Sequence, residues 1–216
     1  MKKIVVFFDV DGTLIRGNIN TAILLYLFRK GELSVCMLFR SVFWYTAWHI
    51  GLTNDVERIA QKGAKELSGI SVQRLEKLID EAFRQEVVKR IYQEAVAIIK
   101  NHWAENHEVI LLSSSFEPFI KKLATHLGIP EVIATKLEVV DGKYTGQIDG
   151  DVVWGNKRKI VEAFYQEHNP DEMYAYSDQF QDAALLERVT YPFAVNPDFR
   201  LGRYARAKGW KILKFS

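Results

Sequence analysis

Near the start of the chain five apolar residues stand together, Ile4-Val5-Val6-Phe7-Phe8, with no polar position among them. An unbroken run of β-branched and aromatic side chains predicts a strand covered on both faces. From Asn18 to about Asn101 the apolar spacing becomes helical, punctuated by Gly31, by Gly51 with Thr53-Asn54, and by Ser68-Gly69-Ile70-Ser71. Ser71 is the expected N-cap of a helix that carries Leu75, Leu78, Ile79 and Phe83. Strands then return. Val109-Ile110-Leu111-Leu112 is a second buried run, with a helix expected from about Glu117 to Leu127. Ile133 to Ile148 alternates around Asp141-Gly142, a hairpin turn signal. A helix near Lys157 to Gln166, a strand at Met173 to Tyr176, and a helix from Phe180 to Glu187 follow. Phe193-Ala194-Val195 and Lys211-Ile212-Leu213 are the last expected strands, separated by a helix at about Leu201 to Ala207.

Strands alternating with helices predict an α/β fold whose parallel sheet is wound with right-handed crossovers. The helical block after the first strand then reads as an insertion. The expected division is a core of residues 1–15 and 86–216 and an all-helical cap of residues 16–85. No internal repeat is present.

Composition narrows this picture little. The 216 residues are 48% hydrophobic and 26% charged, ordinary for a globular chain. Twenty-nine Lys and Arg against 27 acids give +2, too near balance to point to nucleic acid. Cys36 is the one cysteine, so no internal disulfide forms and a reducing, cytoplasmic setting is the expectation. Met1-Lys2-Lys3 before Ile4 imitates the opening of a signal peptide, but the apolar run stops at Asp9, short of the roughly 7–15 residues such a region needs. Leu33 to Leu52 is nearly apolar and about long enough to span a bilayer. Arg40 inside it would cost roughly 2.5–3.5 kcal/mol at mid-membrane, so a helix lying on something greasy fits better than one crossing. The expected placement is cytoplasmic, with peripheral contact to a membrane surface through the cap as an open reading.

The chemistry collects just past the carboxyl ends of the expected strands, where open α/β sheets form their ligand crevice. Asp9-Val10-Asp11-Gly12-Thr13 places two carboxylates after a buried strand, and Gly12 lets the chain turn there and expose backbone N–H groups. A strand ending in an Asx turn would explain the pair equally well. Ser113-Ser114-Ser115 offers donors at a helix start, or simply an N-cap. Lys157-Arg158-Lys159 is an anion ligand or a solvated surface run. Asp178 and Asp182, four apart after another apolar strand, share a face of a short helix or merely cap it. Taken together the clusters favour chemistry: several carboxylates at one sheet edge call for a hard cation such as Mg²⁺. A lysine and a serine beside them suit phosphate oxygens.

In that order the motifs resemble those of the haloacid dehalogenase-like hydrolases: Asp9-Val10-Asp11-Gly12-Thr13-Leu14, then Ser113, then Lys157, then Ser177-Asp178-x-x-x-Asp182. The position of the helical block resembles the phosphoserine phosphatase-like branch. So do Ser113-Ser114-Ser115-Phe116-Glu117-Pro118-Phe119 and Ala194-Val195-Asn196-Pro197-Asp198 with Gly209-Trp210. The resemblance implies a Rossmann-like parallel sheet sandwiched by helices, and a Mg²⁺-dependent phosphatase working through an aspartyl-phosphate. It makes Asp9 the nucleophile and a metal ligand, and Asp11 the general acid and base with its backbone carbonyl on the metal. Asp178 becomes the third metal ligand. Ser113, with Ser114, and Lys157 hold the phosphoryl group, and Asp182 supports Lys157 or a metal water.

One departure bears on substrate. Where phosphoserine phosphatases carry an acid for the substrate's ammonium, this chain has Asn18, and Arg58 is only a loose match for their carboxylate-binding arginine. The cap is rich in aromatics: Tyr26, Phe28, Phe39, Phe43, Trp44, Tyr45 and Trp48. Core packing explains such residues, and so does a lipid-like substrate. The expected partner is therefore a phosphorylated small-molecule or lipid-like substrate, with phosphoserine or another small metabolite as the alternative. A phosphotransferase and a silent binding module rank below these. No zinc site is expected, since the five histidines show no ligand spacing.

Overall fold

The computed structural model describes residues 2–31 and 56–216. Seven strands form one sheet: β1 (Ile4–Phe8), β2 (Glu108–Phe116), β3 (Glu131–Val140), β4 (Lys143–Asp149), β5 (Glu172–Ser177), β6 (Tyr191–Val195) and β7 (Lys211–Leu213). Their spatial order is β4-β3-β2-β1-β5-β6-β7, parallel throughout except for β4, which pairs antiparallel with β3. The Asp141-Gly142 turn between them has φ of +49° and +72°, the left-handed pair that a two-residue hairpin requires.

β1 lies in the middle, and its alternate residues face opposite layers. Val6 and Phe8 join an apolar core with α1 (Ile19–Arg29), α3 (Val72–Ala82), α4 (Gln93–Ala104) and α5 (Glu117–Leu127). Val5 and Phe7 join a second core with α6 (Lys157–His168), α7 (Ala183–Leu186) and α8 (Phe199–Lys208). Phe8, Tyr176 and Phe193 stack across three neighbouring strands with centroids 4.6 Å apart. The chain leaves β1 toward β2 and β3 on one side and later returns to β5 on the other. The strand order therefore reverses between β1 and β5, which opens a crevice beyond their carboxyl ends.

The inserted block is helical where described: α1, α2 (Val56–Lys65), α3, a π-helical turn at Phe83–Val87 and a 3₁₀ turn at Val88–Arg90. Ser71 caps α3 as expected, accepting from Arg74 N. Entry and exit of the block lie side by side, tied by Arg16 N to Arg90 O and Tyr92 N to Leu14 O. On its far side the block is stitched to the β3–β4 hairpin. Gly69 N donates to Tyr144 O, Tyr144 N to Ile70 O, and Val72 N to Gly142 O. Gln61 Nε2 also donates to Gly146 O.

Tyr26 of the aromatic cap is a buried core residue whose hydroxyl donates to Glu81, and Phe28 packs against the same core. Cys36, Phe39, Arg40, Phe43, Trp44, Tyr45, Trp48 and the Leu33–Leu52 stretch lie outside the described residues. Among the described residues no helix is long and apolar enough to cross a membrane.

Candidate active site

The local sequence makes the site by ending strands in polar residues. β1 stops at Phe8, and Asp9 N continues the ladder by donating to Tyr176 O. The chain then turns back on itself: Leu14 N and Ile15 N both donate to Val10 O, and Gly12 N is held by Ile15 O and Gly17 O. Gly12 sits at φ +79°, and a Cβ there would lie within 2.6 Å of Asp178 Cγ and closer still to its Oδ2. Only glycine serves both needs, so the first acidic segment and the last are in direct contact.

Lys157, the first residue of α6, is buried and donates to Asp9 Oδ1 and to Asp182 Oδ2, each at 2.7 Å. Ser177 Oγ donates to the same Asp182 oxygen at 2.6 Å. Asp182 is thereby committed to orienting Lys157. Burial pulls the Lys157 ammonium toward neutrality, but Asp182 and Asp9 outweigh it and leave its pKa raised, so the side chain is a fixed positive charge.

The carboxylates divide their roles. Burial pushes Asp9 up to about 6, against the opposing pull of Lys157. Burial and then the neighbouring Asp9 push Asp178 up to about 9, and Asp178 Oδ1 is buried with no hydrogen-bond partner. Asp11 is turned elsewhere: its Oδ1 accepts from Ile19 N at 2.6 Å and its Oδ2 from Ser115 Oγ at 2.7 Å. Burial raises the Asp11 pKa, and those two donors limit the rise.

Of the four carboxylates, Asp182 and Asp11 are occupied by protein donors, which leaves the side chains of Asp9 and Asp178 for a cation. Among the described residues no three His, Cys, Asp or Glu side chains gather as a metal cluster. Two carboxylates, one raising the proton affinity of the other and one oxygen lacking any donor, do fit a hard divalent cation. Mg²⁺ in particular is commonly held by one or two carboxylates and otherwise by waters and substrate phosphate.

The serine cluster differs from expectation. Ser113, Ser114 and Ser115 belong to the end of β2 instead of standing past it, while α5 begins at Glu117 as expected, with Pro118 in its first turn. A register shift between Ser113 and Phe116 against β3 accommodates the extra residues, so the segment stays extended up to Phe116, which still pairs with Thr135. Ser113 is buried and its Oγ accepts from Ser115 N at 3.1 Å. Ser114 is half-buried, and its carbonyl accepts from Thr135 Oγ1. Asn18 caps α1 through Thr21 N, and Arg58 lies exposed on α2.

Two residues to which the sequence reading gave no individual role, Ser115 being named there only as one of the serine donors, touch the site. Ser115 bonds Asp11, and Asn20 Nδ2 donates to Ser115 Oγ at 2.9 Å. The serine triplet hinted at Ser115, but nothing local distinguishes it from Ser114. The contact arises only because β2 brings residue 115 beside residue 11.

The family model described as haloacid dehalogenase-like hydrolase matches residues 6–187. A Mycobacterium tuberculosis protein named probable phosphatase is 30% identical over 217 residues, covering 97% of this chain and 75% of that one. The histidinol-phosphatase of Neisseria meningitidis is 28% identical over 224 residues, with both chains covered in full. Among solved structures, a Bordetella pertussis Tohama I protein of unknown function superposes with a TM-score of 0.90 at 26% identity, covering 99% of each chain.

Proposed function

The chain belongs to the haloacid dehalogenase-like hydrolases and is a phosphatase, and on that premise we propose that it hydrolyses phosphomonoesters through a phosphoryl group carried on Asp9. The observation that carries this reading is the arrangement around Asp9. A buried carboxylate is paired with a buried lysine, a second carboxylate with an orphaned oxygen stands beside it, and a third is held apart by two donors.

Asp9 attacks phosphorus as the ester oxygen leaves. Lys157 is fixed between Asp9 and Asp182, where its charge offsets that of the phosphoryl oxygens. Ser113, buried at the end of β2, donates to one of those oxygens, with Ser114 next to it. Asp11 protonates the leaving oxygen and, now ionised, takes a proton from the water that hydrolyses the aspartyl-phosphate. The Asp9 and Asp178 carboxylates and the Asp11 carbonyl would hold Mg²⁺, which would supply charge compensation at the transferring phosphoryl group and keep Asp9 ionised.

The division into a core of residues 1–15 and 86–216 and a cap of residues 16–85 belongs to the same proposal. The paired crossings at Arg16–Arg90 and Leu14–Tyr92 support an insertion there and put its exit near Arg90, a few residues past 85. For substrate we propose a lipid-like or other organic phosphate, with phosphoserine or another small phosphorylated metabolite as the alternative to be assayed beside it. Tyr26 and Phe28 are core residues and lend the lipid-like member no support of their own.

The test is acid-quench trapping of a phosphoryl-protein with a labelled phosphomonoester and magnesium, beside a steady-state panel of alkyl, aryl and lipid phosphates. Label on Asp9 and magnesium-dependent turnover are expected, both absent from Asp9→Asn. Turnover by Asp9→Asn comparable to the wild type would refute the covalent route.

A further inference from the structure

We infer that Ser115 and Asn20 are positioning residues for Asp11, forming a relay that sets the rotamer in which it protonates the leaving group. This inference rests on the proposed role of Asp11.

A serine hydroxyl has one proton. Ser115 is buried, and its hydroxyl proton goes to Asp11 Oδ2 at 2.7 Å, so anything else bonded to Ser115 Oγ must donate to it. That requirement orients the Asn20 amide, with Nδ2 toward Ser115 at 2.9 Å and Oδ1 on the other side. Together with Ile19 N on Oδ1, each Asp11 oxygen receives one fixed donor, and rotation of the carboxylate would break both bonds. One lone pair remains on each oxygen for the proton in transit.

Two features set this apart from ordinary structural bonding. Asn20 Oδ1 is buried without a partner, a desolvation cost that an apolar residue at the same place would not carry. The relay also joins different parts of the molecule. Ser115 is on β2 of the sheet, whereas Ile19 and Asn20 are the first residues of α1, the opening helix of the inserted block. The acid is thus aimed by groups from both sides of the crevice.

In the step concerned, the bond from an Asp9 oxygen to phosphorus forms and the bond from phosphorus to the ester oxygen breaks. The Asp11 carboxyl proton goes to that ester oxygen, leaving neutral alcohol and an Asp11 carboxylate. An alkoxide needs this proton in order to leave, and a nitrophenolate does not. Misaiming Asp11 therefore penalises alkyl esters selectively.

The experiment compares kcat/KM for a primary alkyl phosphate and for p-nitrophenyl phosphate, at saturating magnesium, in wild type, Ser115→Ala, Ser115→Thr and Asn20→Ala. kcat/KM reports only the steps through formation of the aspartyl-phosphate. A positioned general acid contributes about 10²–10⁴-fold, so the alkyl-to-aryl ratio should fall on the order of tenfold to a hundredfold in Ser115→Ala. A smaller fall is expected in Asn20→Ala and recovery in Ser115→Thr, which keeps the hydroxyl. A parallel loss on both esters, or an unchanged ratio in Ser115→Ala, overturns the relay. Acid-quench trapping on the same proteins separates the two levels. An unlabelled wild type overturns the covalent reading, whereas a labelled wild type with an unchanged ratio in Ser115→Ala overturns the relay alone.

Discussion

Gly12→Ala is the substitution whose effect follows most directly from the geometry. It imposes two costs that can be measured separately. The backbone at φ +79° is left-handed, which costs an alanine roughly 1–2 kcal/mol. In a chain of this size that corresponds to about 2–8 °C of Tm. Gly209 provides the control: it caps α8 at φ +69° with nothing within 4 Å of an added Cβ, so Gly209→Ala carries the backbone cost alone. At Gly12 the new methyl would stand 2.6 Å from Asp178 Cγ. Carbon contacts settle near 3.5–4.0 Å, so the carboxylate must retreat by about 1 Å. A displacement of that size in a catalytic array costs about a hundredfold in rate. Gly209→Ala should therefore lose only the backbone increment of stability in thermal denaturation and Gly12→Ala at least that much, while only Gly12→Ala loses about two orders of magnitude in kcat/KM and requires more magnesium for half-maximal rate. If Gly12→Ala retained kcat/KM within about threefold of Gly209→Ala, the contact between residues 12 and 178 would not be what holds the site.

Three further outcomes follow from buried groups and close contacts. Asp178→Asn should abolish magnesium-dependent turnover yet raise Tm in metal-free buffer, by about 2–4 °C for each kcal/mol recovered. The folded Asp178 pKa is raised from 3.8 to about 9, so metal-free stability declines as pH rises through that window, and the variant should flatten the decline in denaturant titrations. Gly146→Ala brings a Cβ to 2.9 Å from Ser68 Cβ and 3.2 Å from Lys65 Cα at φ +84°, which should loosen the seam between α2 and β4. A loss of about 1–3 kcal/mol with faster proteolysis near residues 65–72 is expected, and unchanged protection would count against that seam. His102 is buried between His107 and Tyr176, and burial, then His107, holds its pKa down from 6.5 to about 4. The unfolded chain takes up this proton first as pH falls, so stability should drop on the order of 2 kcal/mol between pH 7 and pH 5. His102→Gln should remove most of that slope.

The repeating elements were legible because each depends on near neighbours. Val5 to Phe8 announces a strand covered on both faces whatever surrounds it, Ser71 caps a helix three residues on, and Asp141-Gly142 turns a hairpin. The order of the acidic, serine and lysine segments was likewise readable, since it follows the ends of those strands. The serine triplet was expected just past the strand and lies within β2, because the length and register of β2 against β3 are properties of the pair of strands.

What tertiary structure alone decided is the partner of each polar group. Lys157 meets Asp9 across 148 residues of sequence, and Ser115 meets Asp11 across 104. The Asp182–Lys157 pairing was an expectation from the family resemblance, but no local pattern foretells that Asp11 is held by α1 and β2 or that Asp178 abuts Gly12. A hydrogen bond or a charge pair acts over a few ångströms, and distant residues come that close only when the register of β1 against β2 and β5 has been set by burial of the apolar faces between them. The sequence determined which chemical groups stand at the rim of the sheet, and sheet packing determined which of them remain unpaired.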